Sequence, residues 1–349
     1  MGLRFKCDEC YDFDYCFECF KSKKKTETHD PKNHKMLVSV NYQKVKFSFD
    51  DIALEEKLGK GCFGEVYKAK ILPLNNKICA CKLFFIDSIL KEYNKKGQVF
   101  DQNVIMKSFL NELNSLNEVR SPNLIDYYGY GMDIEAKGSM KIFLLFEYMP
   151  NGSLEAALRS DSKLNGQLSL RRRFQLALDI ISGIRRFHSK KLIHKDIKPD
   201  NILISGGIRA KIGDLGVSKL MNSPNQLISD NIAPRDYRAP DEILTPAFDI
   251  YSFGLVLNHI FTGEKHEGFL GFHHVRRFSE YFGNLIKQCL SKKANERPTA
   301  QKIEFHFEKF DAYFWENVGD KMKYIQLDNI NKNEMFKTIL KEFELKNKF

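Results

Sequence analysis

The arrangement of apolar and polar residues changes along the chain and predicts strands first and helices later. Residues 66–70 and 78–84 form short alternating or apolar runs that are typical of β-strands. Farther along, apolar residues recur at the spacing of helical turns. Before about Asp50 the sequence is mixed and polar, with a basic run at 21–25, which indicates a linker. From Ile52 onward the pattern therefore predicts a large α+β domain.

The composition is that of a globular protein. The chain has 349 residues, of which 43% are hydrophobic and 29% are charged. These values exclude a disordered chain, a collagen-like fibre and a coiled coil, and the length allows two or three domains. Lysine and arginine number 55 against 45 acidic residues, so the net charge is +10. This excess is spread along the chain and indicates a solvated surface, with nucleic acid or anionic phosphate ligands as alternatives.

The sequence gives no indication of a membrane protein or a secreted one. No apolar run approaches the roughly 20 residues that a transmembrane helix needs. The first ten residues, MGLRFKCDEC, contain no apolar stretch that could serve as a signal peptide. We therefore expect no membrane partner and an intracellular location, cytoplasmic or nuclear, in which thiols stay reduced.

Half of the eight cysteines lie within the first twenty residues. In a reducing compartment, such a cluster indicates a metal site more often than disulfides. Two C-x-x-C pairs and two histidines offer six ligands to zinc, whereas one tetrahedral ion takes four, so several ligand sets are possible. The candidates are Cys7, Cys10, Cys16, Cys19, His29 and His34. The other four cysteines are scattered among apolar residues and are interpreted as buried thiols.

The run RFKCDECYDFDYCFECF, followed by two spaced histidines, resembles a ZZ-type zinc finger. The resemblance implies one complete zinc site, formed by Cys7, Cys10, His29 and His34. Cys16 and Cys19 would share a second ion with an earlier C-x-x-C pair, which this sequence lacks, so the finger would be incomplete at its N-terminus. The alternatives are a finger that keeps one zinc ion and a single site formed by the four thiolates. A small zinc-stabilised finger with its linker, over residues 1–46, is then expected to bind a peptide or protein partner.

A glycine-rich segment follows with the spacing G-x-G-x-x-G-x-V. Glycines allow the backbone to approach phosphates closely, and dinucleotide-binding turns share this spacing. A dinucleotide-binding turn would continue as a helix, whereas residues 66–70 predict a strand. The segment is therefore predicted to be a phosphate-binding hairpin that contacts nucleotide through Leu58, Gly59, Lys60, Gly61, Cys62, Phe63, Gly64 and Val66.

Lys82 is the one charged residue of an apolar strand, residues 78–84. A buried ammonium group needs an anionic partner, which predicts that Lys82 contacts a carboxylate or a phosphate. Glu112, in a segment with helical spacing, is the candidate carboxylate, and a nucleotide would supply the phosphate. The alternative is a lysine that extends from the edge of a sheet into solvent.

The run His194-Lys195-Asp196-Ile197-Lys198-Pro199-Asp200-Asn201, followed by Asp214 between two glycines, completes a series of motifs. With these motifs in order, residues 52–310 resemble a eukaryotic protein kinase. The resemblance implies a bilobal α+β fold with a β-rich N-lobe and a helical C-lobe. It also implies that phosphates account for part of the basic charge, so nucleic acid is no longer expected. Residues 311–349 would form a helical C-terminal extension of unknown role.

The resemblance assigns four residues to phosphoryl transfer. Lys82, held by Glu112, would grip the α- and β-phosphates of ATP. Asp196 would orient the acceptor hydroxyl and take its proton late in the reaction, while Lys198 would neutralise the transferring γ-phosphoryl group. A lysine at position 198 is typical of Ser/Thr kinases, so we expect a protein substrate with a serine or threonine acceptor.

The remaining family positions would bind nucleotide and metal or support the site. Asn201 and Asp214 would hold Mg²⁺, and the ATP pocket would also include Ala80, Glu147 and Met149. Asp249 would anchor the catalytic loop from a buried helix. Arg297 would pair with Asp241, which stands where the family usually has a longer glutamate.

Other departures weaken the match. Lys195 replaces the arginine that precedes the catalytic aspartate, and Leu215 replaces the phenylalanine after the metal-binding aspartate. Ala233-Pro234 stands where Ser/Thr kinases usually carry Gly-Thr, whose hydroxyl helps to hold the catalytic aspartate and lysine. Two hypotheses therefore remain, an active kinase and a pseudokinase scaffold that binds nucleotide and partners without phosphotransfer.

Overall fold

The computed structural model describes residues 4–7, 14–16, 36–39, 45–61, 64–85, 119–134, 140–159, 162, 164–214, 219–220, 237–241, 243–263, 279–319, 324 and 326–347. The chain divides into two compact units. The first, here called the sheet unit, comprises residues 1–105 and 126–148, and the second, the helical unit, comprises residues 106–125 and 149–349.

Antiparallel strands dominate the sheet unit. A small sheet of order β2-β1-β3 is formed by β1 (Arg4–Cys7), β2 (Asp14–Cys16) and β3 (Met36–Ser39). The larger sheet contains β4 (Val45–Lys46), β5 (Ile52–Gly61), β6 (Gly64–Ile71), β7 (Lys77–Phe85), β8 (Tyr127–Ile134) and β9 (Met140–Glu147). Its order is β4-β8-β9-β7-β6-β5, and only the β4–β8 pair is parallel. The alternating pattern that predicted strands in this part of the chain is confirmed.

Residues 45–51, which the sequence indicated to be linker, belong to the large sheet and its core. Phe47 is 4% exposed, and its amide donates a hydrogen bond to the Tyr130 carbonyl at 2.8 Å. A short 3₁₀ helix follows over Phe49–Asp51, where Ser48 and Asp51 form a reciprocal capping box. The Phe49 ring lies 5.8 Å from that of Phe143 in an edge-to-face contact. These contacts attach the segment to the sheet through two aromatic side chains.

Six α-helices are described in the helical unit: α1 (Leu154–Leu158), α2 (Leu170–Ser189), α3 (Pro246–Thr262), α4 (Glu280–Cys289), α5 (Ala300–Asn317) and α6 (Asn329–Lys346). Short antiparallel pairs join β10 (Leu192–Ile193) to β13 (Lys219–Leu220), and β11 (Ile202–Ile204) to β12 (Ala210–Ile212). Serine, threonine or aspartate side chains cap the N-termini of α1, α2, α4, α5 and α6. Within the described ranges, no helix combines the length and apolar character needed to cross a bilayer.

An aromatic cluster forms the core of the helical unit. It consists of fully buried rings from four helices, namely Phe174, Phe282, Phe307, Phe310, Phe314 and Phe336. The Phe310 ring lies 5.0 Å from Phe174 and 5.3 Å from Phe336, at angles typical of aromatic pairs. Because Phe336 is on α6, this last helix shares the core of the unit.

Polar contacts at the ends of α6 complete its attachment. Asn333 Oδ1 accepts a hydrogen bond from the first amide of α2, that of Leu170, at 2.7 Å. Near the other end, Glu344 Oε1 accepts from the Ser279 hydroxyl and the Tyr281 amide at the start of α4. Helix α6 therefore satisfies backbone donors at the N-termini of two other helices. The β-rich half and helical half predicted from the sequence are both confirmed.

Candidate active site

The glycine-rich segment is a hairpin between β5 and β6. Gly61 pairs with Gly64, and Gly59 pairs with Val66, so the motif continues as a strand as predicted. A Cβ atom on Gly64 would lie 2.1 Å from the Leu83 carbonyl oxygen, so only glycine fits at this position. Leu58 and Lys60 are on β5, while Cys62 and Phe63 lie outside the described residues.

Lys82 lies in the interior of the large sheet. Its strand, β7, pairs with β6 on one side and β9 on the other, where Lys82 is opposite Val66 and Leu144. The alternative of a lysine at a sheet edge is therefore wrong. Its ammonium nitrogen lies 5.4 Å from the centre of the Phe84 ring. Its predicted partner, Glu112, lies outside the described residues.

Three further residues, Ala80, Glu147 and Met149, were predicted to belong to the ATP pocket. Ala80 of β7 is opposite Phe146 of β9. Glu147, the last residue of β9, has its amide 2.9 Å from the Asp126 carbonyl, and its Oε1 accepts from the Asp126 amide at 2.8 Å. Met149 belongs to the helical unit, is 7% exposed, and its carbonyl accepts from the Gly152 amide at 3.1 Å. These hydrogen bonds thus hold the backbone at Glu147 and at Met149, the residues on either side of position 148.

Asp196 is held by two neighbouring polar side chains. Its Oδ2 accepts hydrogen bonds from Lys198 Nζ and from Asn201 Nδ2, each at 2.7 Å. Asn201 Nδ2 also donates to the Asp196 carbonyl at 2.8 Å. The Asp196 and Lys198 side chains are only 11% and 17% exposed, so their ion pair is poorly screened by solvent. The structure therefore brings together three of the predicted site residues in one hydrogen-bonded group.

Asp214 is connected to this group through the preceding residue. The Gly213 amide donates to the Asn201 carbonyl at 2.8 Å, and His194 Nε2 lies 3.0 Å from the Gly213 carbonyl oxygen. Asp214 itself is exposed and has a φ of 53°, a left-handed conformation that aspartate tolerates better than most residues. Its carboxylate and the Asn201 amide oxygen are hard oxygen donors of the kind that Mg²⁺ prefers. The donor chemistry fits the metal that the sequence implied.

Asp249, at the start of α3, anchors the loop that contains Asp196. Its carboxylate accepts hydrogen bonds from the backbone amides of Lys195 and His194, at 2.8 and 2.9 Å, and lies 2.9 Å from His188 Nε2. Burial raises the pKa of Asp249, but the contacts with His188 and His194 outweigh it and hold that pKa below its ordinary value. The predicted anchoring role is confirmed. His188 was not predicted, because it is at the end of α2 and belongs to no motif.

The loop before Asp196 includes an uncommon backbone conformation. Lys195 is buried and has a φ of 71°, which is strained for a residue with a side chain. The bond from its amide to Asp249 stabilises this conformation. The strain lies next to the residue with the predicted catalytic role.

The predicted pair between Arg297 and Asp241 is confirmed. Two parallel hydrogen bonds of 2.6 Å join the guanidinium to the carboxylate, and the Arg297 and Asp241 side chains are 0% and 5% exposed. Arg297 also donates to the Ala247 carbonyl at the start of α3. Aspartate therefore reaches the arginine in this chain although it is shorter than glutamate.

The zinc-ligand prediction falls largely outside the described part of the chain. Cys7 ends β1 and Cys16 ends β2, and these strands are antiparallel neighbours in which Arg4 is opposite Cys16. The other candidates, Cys10, Cys19, His29 and His34, lie outside the described residues.

Comparison with known proteins gives two family matches. Residues 52–307 match the model of the protein kinase domain, and residues 1–31 match the model of the ZZ-type zinc finger. The kinase match covers more than half of the chain, and the two matches do not overlap.

Several curated proteins are similar to this chain. Serine/threonine-protein kinase pelle of Drosophila melanogaster is 32% identical over 244 residues, which cover 66% of this chain and 45% of that protein. L-type lectin-domain containing receptor kinase V.7 of Arabidopsis thaliana is 31% identical over 221 residues, 60% of this chain and 30% of that protein. Wall-associated receptor kinase-like 10, also of Arabidopsis thaliana, is 24% identical over 310 residues, 78% of this chain and 38% of that protein. The chain thus spans less than half the length of these relatives.

Proposed function

Because the chain belongs to the protein kinase family, we propose that it is an active Ser/Thr kinase, which transfers the γ-phosphoryl group of ATP to a serine or threonine hydroxyl of a protein. The observation that carries this proposal is the group formed by Asp196, Lys198 and Asn201, with its loop tied to Asp249. Phosphoryl transfer depends mainly on positioning and charge neutralisation, and this group is suited to both.

In the proposed reaction, the acceptor hydroxyl oxygen forms a bond to the γ-phosphorus while the bond to the β–γ bridging oxygen breaks. Asp196 orients the hydroxyl and takes its proton, and ADP leaves with the bonding electrons. Lys198, 2.7 Å from Asp196, supplies positive charge for the γ-phosphoryl oxygens. Lys82 binds the α- and β-phosphates, with Glu112 as its proposed partner.

Asn201 and Asp214 are the residues that would hold Mg²⁺ in this proposal. The ion supplies positive charge that neutralises the phosphate oxygens when it is bound. Both donor contacts of Asn201 Nδ2 go to Asp196, which leaves the Asn201 amide oxygen as the metal-binding atom of that side chain.

A phosphotransfer assay on the full chain tests the proposal. We expect wild-type protein, with ATP and Mg²⁺, to label serine or threonine in a basic protein substrate. Asp196→Asn should lower the rate about 10²- to 10⁴-fold, while ATP binding is kept. Asp50→Asn, a matched change at an exposed position of the sheet unit, should leave the rate unchanged. Folded wild-type protein that binds ATP but transfers no more phosphate than Asp196→Asn would overturn the enzyme assignment.

A pseudokinase scaffold is the second candidate function. The residues that favour it are Ala233-Pro234, because the family's threonine hydroxyl is missing there. A scaffold would bind nucleotide in the same assay without labelling any substrate, which separates the two functions.

For the N-terminal segment we propose a zinc-stabilised finger that binds a peptide or protein partner. We expect one zinc ion per chain by elemental analysis of the full protein, and loss of that ion in His34→Ala. His306→Ala, at a histidine of α5, serves as the control and should keep the ion. If zinc is retained in His34→Ala but lost in Cys16→Ser, the site consists of four thiolates.

A further inference from the structure

Helix α3 carries three polar side chains on one face. Asp249, Ser252 and His259 are separated by three and seven residues, which at about 100° per residue places them within an arc of about 80°. All three are buried, with exposures of 0%, 1% and 4%. Buried polar groups in a helix core need partners, so each should hold another part of the chain.

The first of the three holds the catalytic loop, and the other two hold Tyr237. The Ser252 hydroxyl donates to the Tyr237 carbonyl oxygen at 2.7 Å. The Tyr237 hydroxyl lies 3.1 Å from His259 Nδ1, within hydrogen-bond distance. One rigid helix face therefore sets the position of Tyr237 relative to the loop that contains Asp196.

A side chain of a second helix lies near the contact between Tyr237 and His259. Glu155 of α1 places its Oε2 4.0 Å from the same His259 Nδ1, and the Glu155 side chain is 17% exposed. Four residues after Tyr237, Asp241 is fixed by its pair with Arg297. Residues 237–241 are thus attached at both ends, and His259 holds the side chain at the end nearer to Ala233-Pro234.

This attachment matters because of what the chain lacks. Ser/Thr kinases usually carry a threonine at the position of Pro234, whose hydroxyl connects this segment directly to the catalytic aspartate and lysine. Proline has no hydroxyl, so that direct connection is absent from this sequence. The route through α3 connects the same two parts of the chain by side-chain contacts that the structure describes.

We propose that His259 is a positioning residue for the protein acceptor. By holding the Tyr237 hydroxyl, it keeps residues 237–241 in register with Asp196, so that an acceptor peptide docks with its hydroxyl beside that carboxylate. The inference rests on the proposed phosphotransfer function. In this proposal His259 contacts neither ATP nor the reacting atoms. Its loss should therefore weaken acceptor docking and leave nucleotide binding unchanged.

Kinetics of single and double variants test the proposal. His259→Leu and Tyr237→Phe should each raise the KM for a protein acceptor about tenfold, as expected for the loss of one buried hydrogen bond, with the KM for ATP unchanged. The double variant should be no worse than either single one, because both remove the same contact. His259→Asn, which keeps a polar atom near the position of Nδ1, should restore most of the acceptor KM. His306→Leu, on α5, is the control for replacing a histidine.

A purely structural role predicts a different pattern. If His259→Leu lowers kcat and weakens ATP binding together, if the two substitutions are additive, or if His259→Asn is no better than His259→Leu, the proposal is overturned.

A second measurement keeps the proposal separate from the phosphotransfer function. If wild-type protein transfers no phosphate, the kinase proposal fails, but hydrogen exchange still reports on the contact. Faster exchange at residues 237–241 in both His259→Leu and Tyr237→Phe, with residues 192–201 unchanged, supports the positioning role. Unchanged exchange at residues 237–241 overturns it.

Discussion

The two units hold their candidate functional residues in different ways. In the sheet unit, Gly59, Gly64 and Lys82 are positioned by strand pairing, which depends on the backbone. In the helical unit, Asp196 and its neighbours are positioned by hydrogen bonds with buried side chains, those of Asp249 and Asn201. Strand pairing tolerates most side-chain changes, whereas a buried polar network fails when one member is removed. The helical unit should therefore be the more sensitive of the two to single substitutions.

The two units also differ in ionisable side chains that they bury, as two thiols of the sheet unit and a carboxylate of the helical unit illustrate. The thiols of Cys79 and Cys81 are buried in the sheet core, and burial raises the pKa of Cys79 to about 12, so it stays protonated and packs as a small apolar group. In the helical unit, the buried Asp179 carboxylate accepts two hydrogen bonds from Arg209, at 2.6 and 2.8 Å. Buried carboxylates that depend on several donors make this unit sensitive to the loss of any one partner.

Removing Asp249 should have the largest effect of any single change. Asp249→Ala leaves two backbone amides and His188 without their buried acceptor, and such losses cost about 3–5 kcal/mol. We expect this drop in the free energy of unfolding by urea denaturation, together with loss of phosphotransfer to the level of Asp196→Asn. Glu316→Gln, an exposed carboxylate on α5, is the control and should change neither. Full activity in Asp249→Ala would contradict the anchoring role.

Truncating Phe336 tests whether α6 is part of the helical core. Phe336 is fully buried against Phe310 and Phe314, so Phe336→Ala should lower the free energy of unfolding by about 4 kcal/mol. Ile330→Ala changes a residue of the same helix that is 75% exposed and should shift stability by less than about 0.5 kcal/mol. Equal effects of the two substitutions would mean that α6 is an independent extension.

Motif residues were predictable from the sequence because their partners are defined by the motifs themselves. The strand after the glycine-rich segment, the Asp241–Arg297 pair and the anchoring role of Asp249 all followed from spacing and family resemblance. The sequence predicts that Lys82 lies on a strand, but it does not reveal whether that strand is in the interior or at the edge of the sheet.

Other contacts were not predictable because they join residues far apart in the chain that share no pattern. Asn333 caps α2 from 163 residues away, and His188 reaches Asp249 across 61 residues. The composition of residues 45–51 indicates a linker, because most of them are polar and the packing of Phe47 and Phe49 is not evident from the sequence. Tertiary packing decides such cases, and periodicity over a few residues does not report it.

Phe47→Ala tests the corresponding attachment in the sheet unit. Phe47 is buried beside β4, the edge strand of the large sheet, so we expect a loss of about 3 kcal/mol in the free energy of unfolding. Leu72→Ala, at a residue of the same unit that is 44% exposed, is the matched control and should change stability little. No loss in Phe47→Ala would show that residues 45–51 act as linker.

The smallest expected effect is a pH dependence in the helical unit. Burial, with the nearby charges of Lys302 and Lys309, lowers the pKa of His306, whose Nδ1 is hydrogen-bonded with the Tyr281 hydroxyl. The unfolded chain therefore binds a proton at His306 more readily than the folded chain does. The contribution of this residue to the free energy of unfolding is thus fully present above the ordinary histidine pKa of about 6.5 and is lost as the pH drops below it.

His306→Gln should make the loss of stability between pH 7.5 and pH 5.5 smaller, as measured by urea denaturation at each pH. Asp249 does not contribute to this difference, because its lowered pKa moves its own titration to the acid side of about pH 4. Identical pH slopes in wild type and variant would place the titrating groups elsewhere.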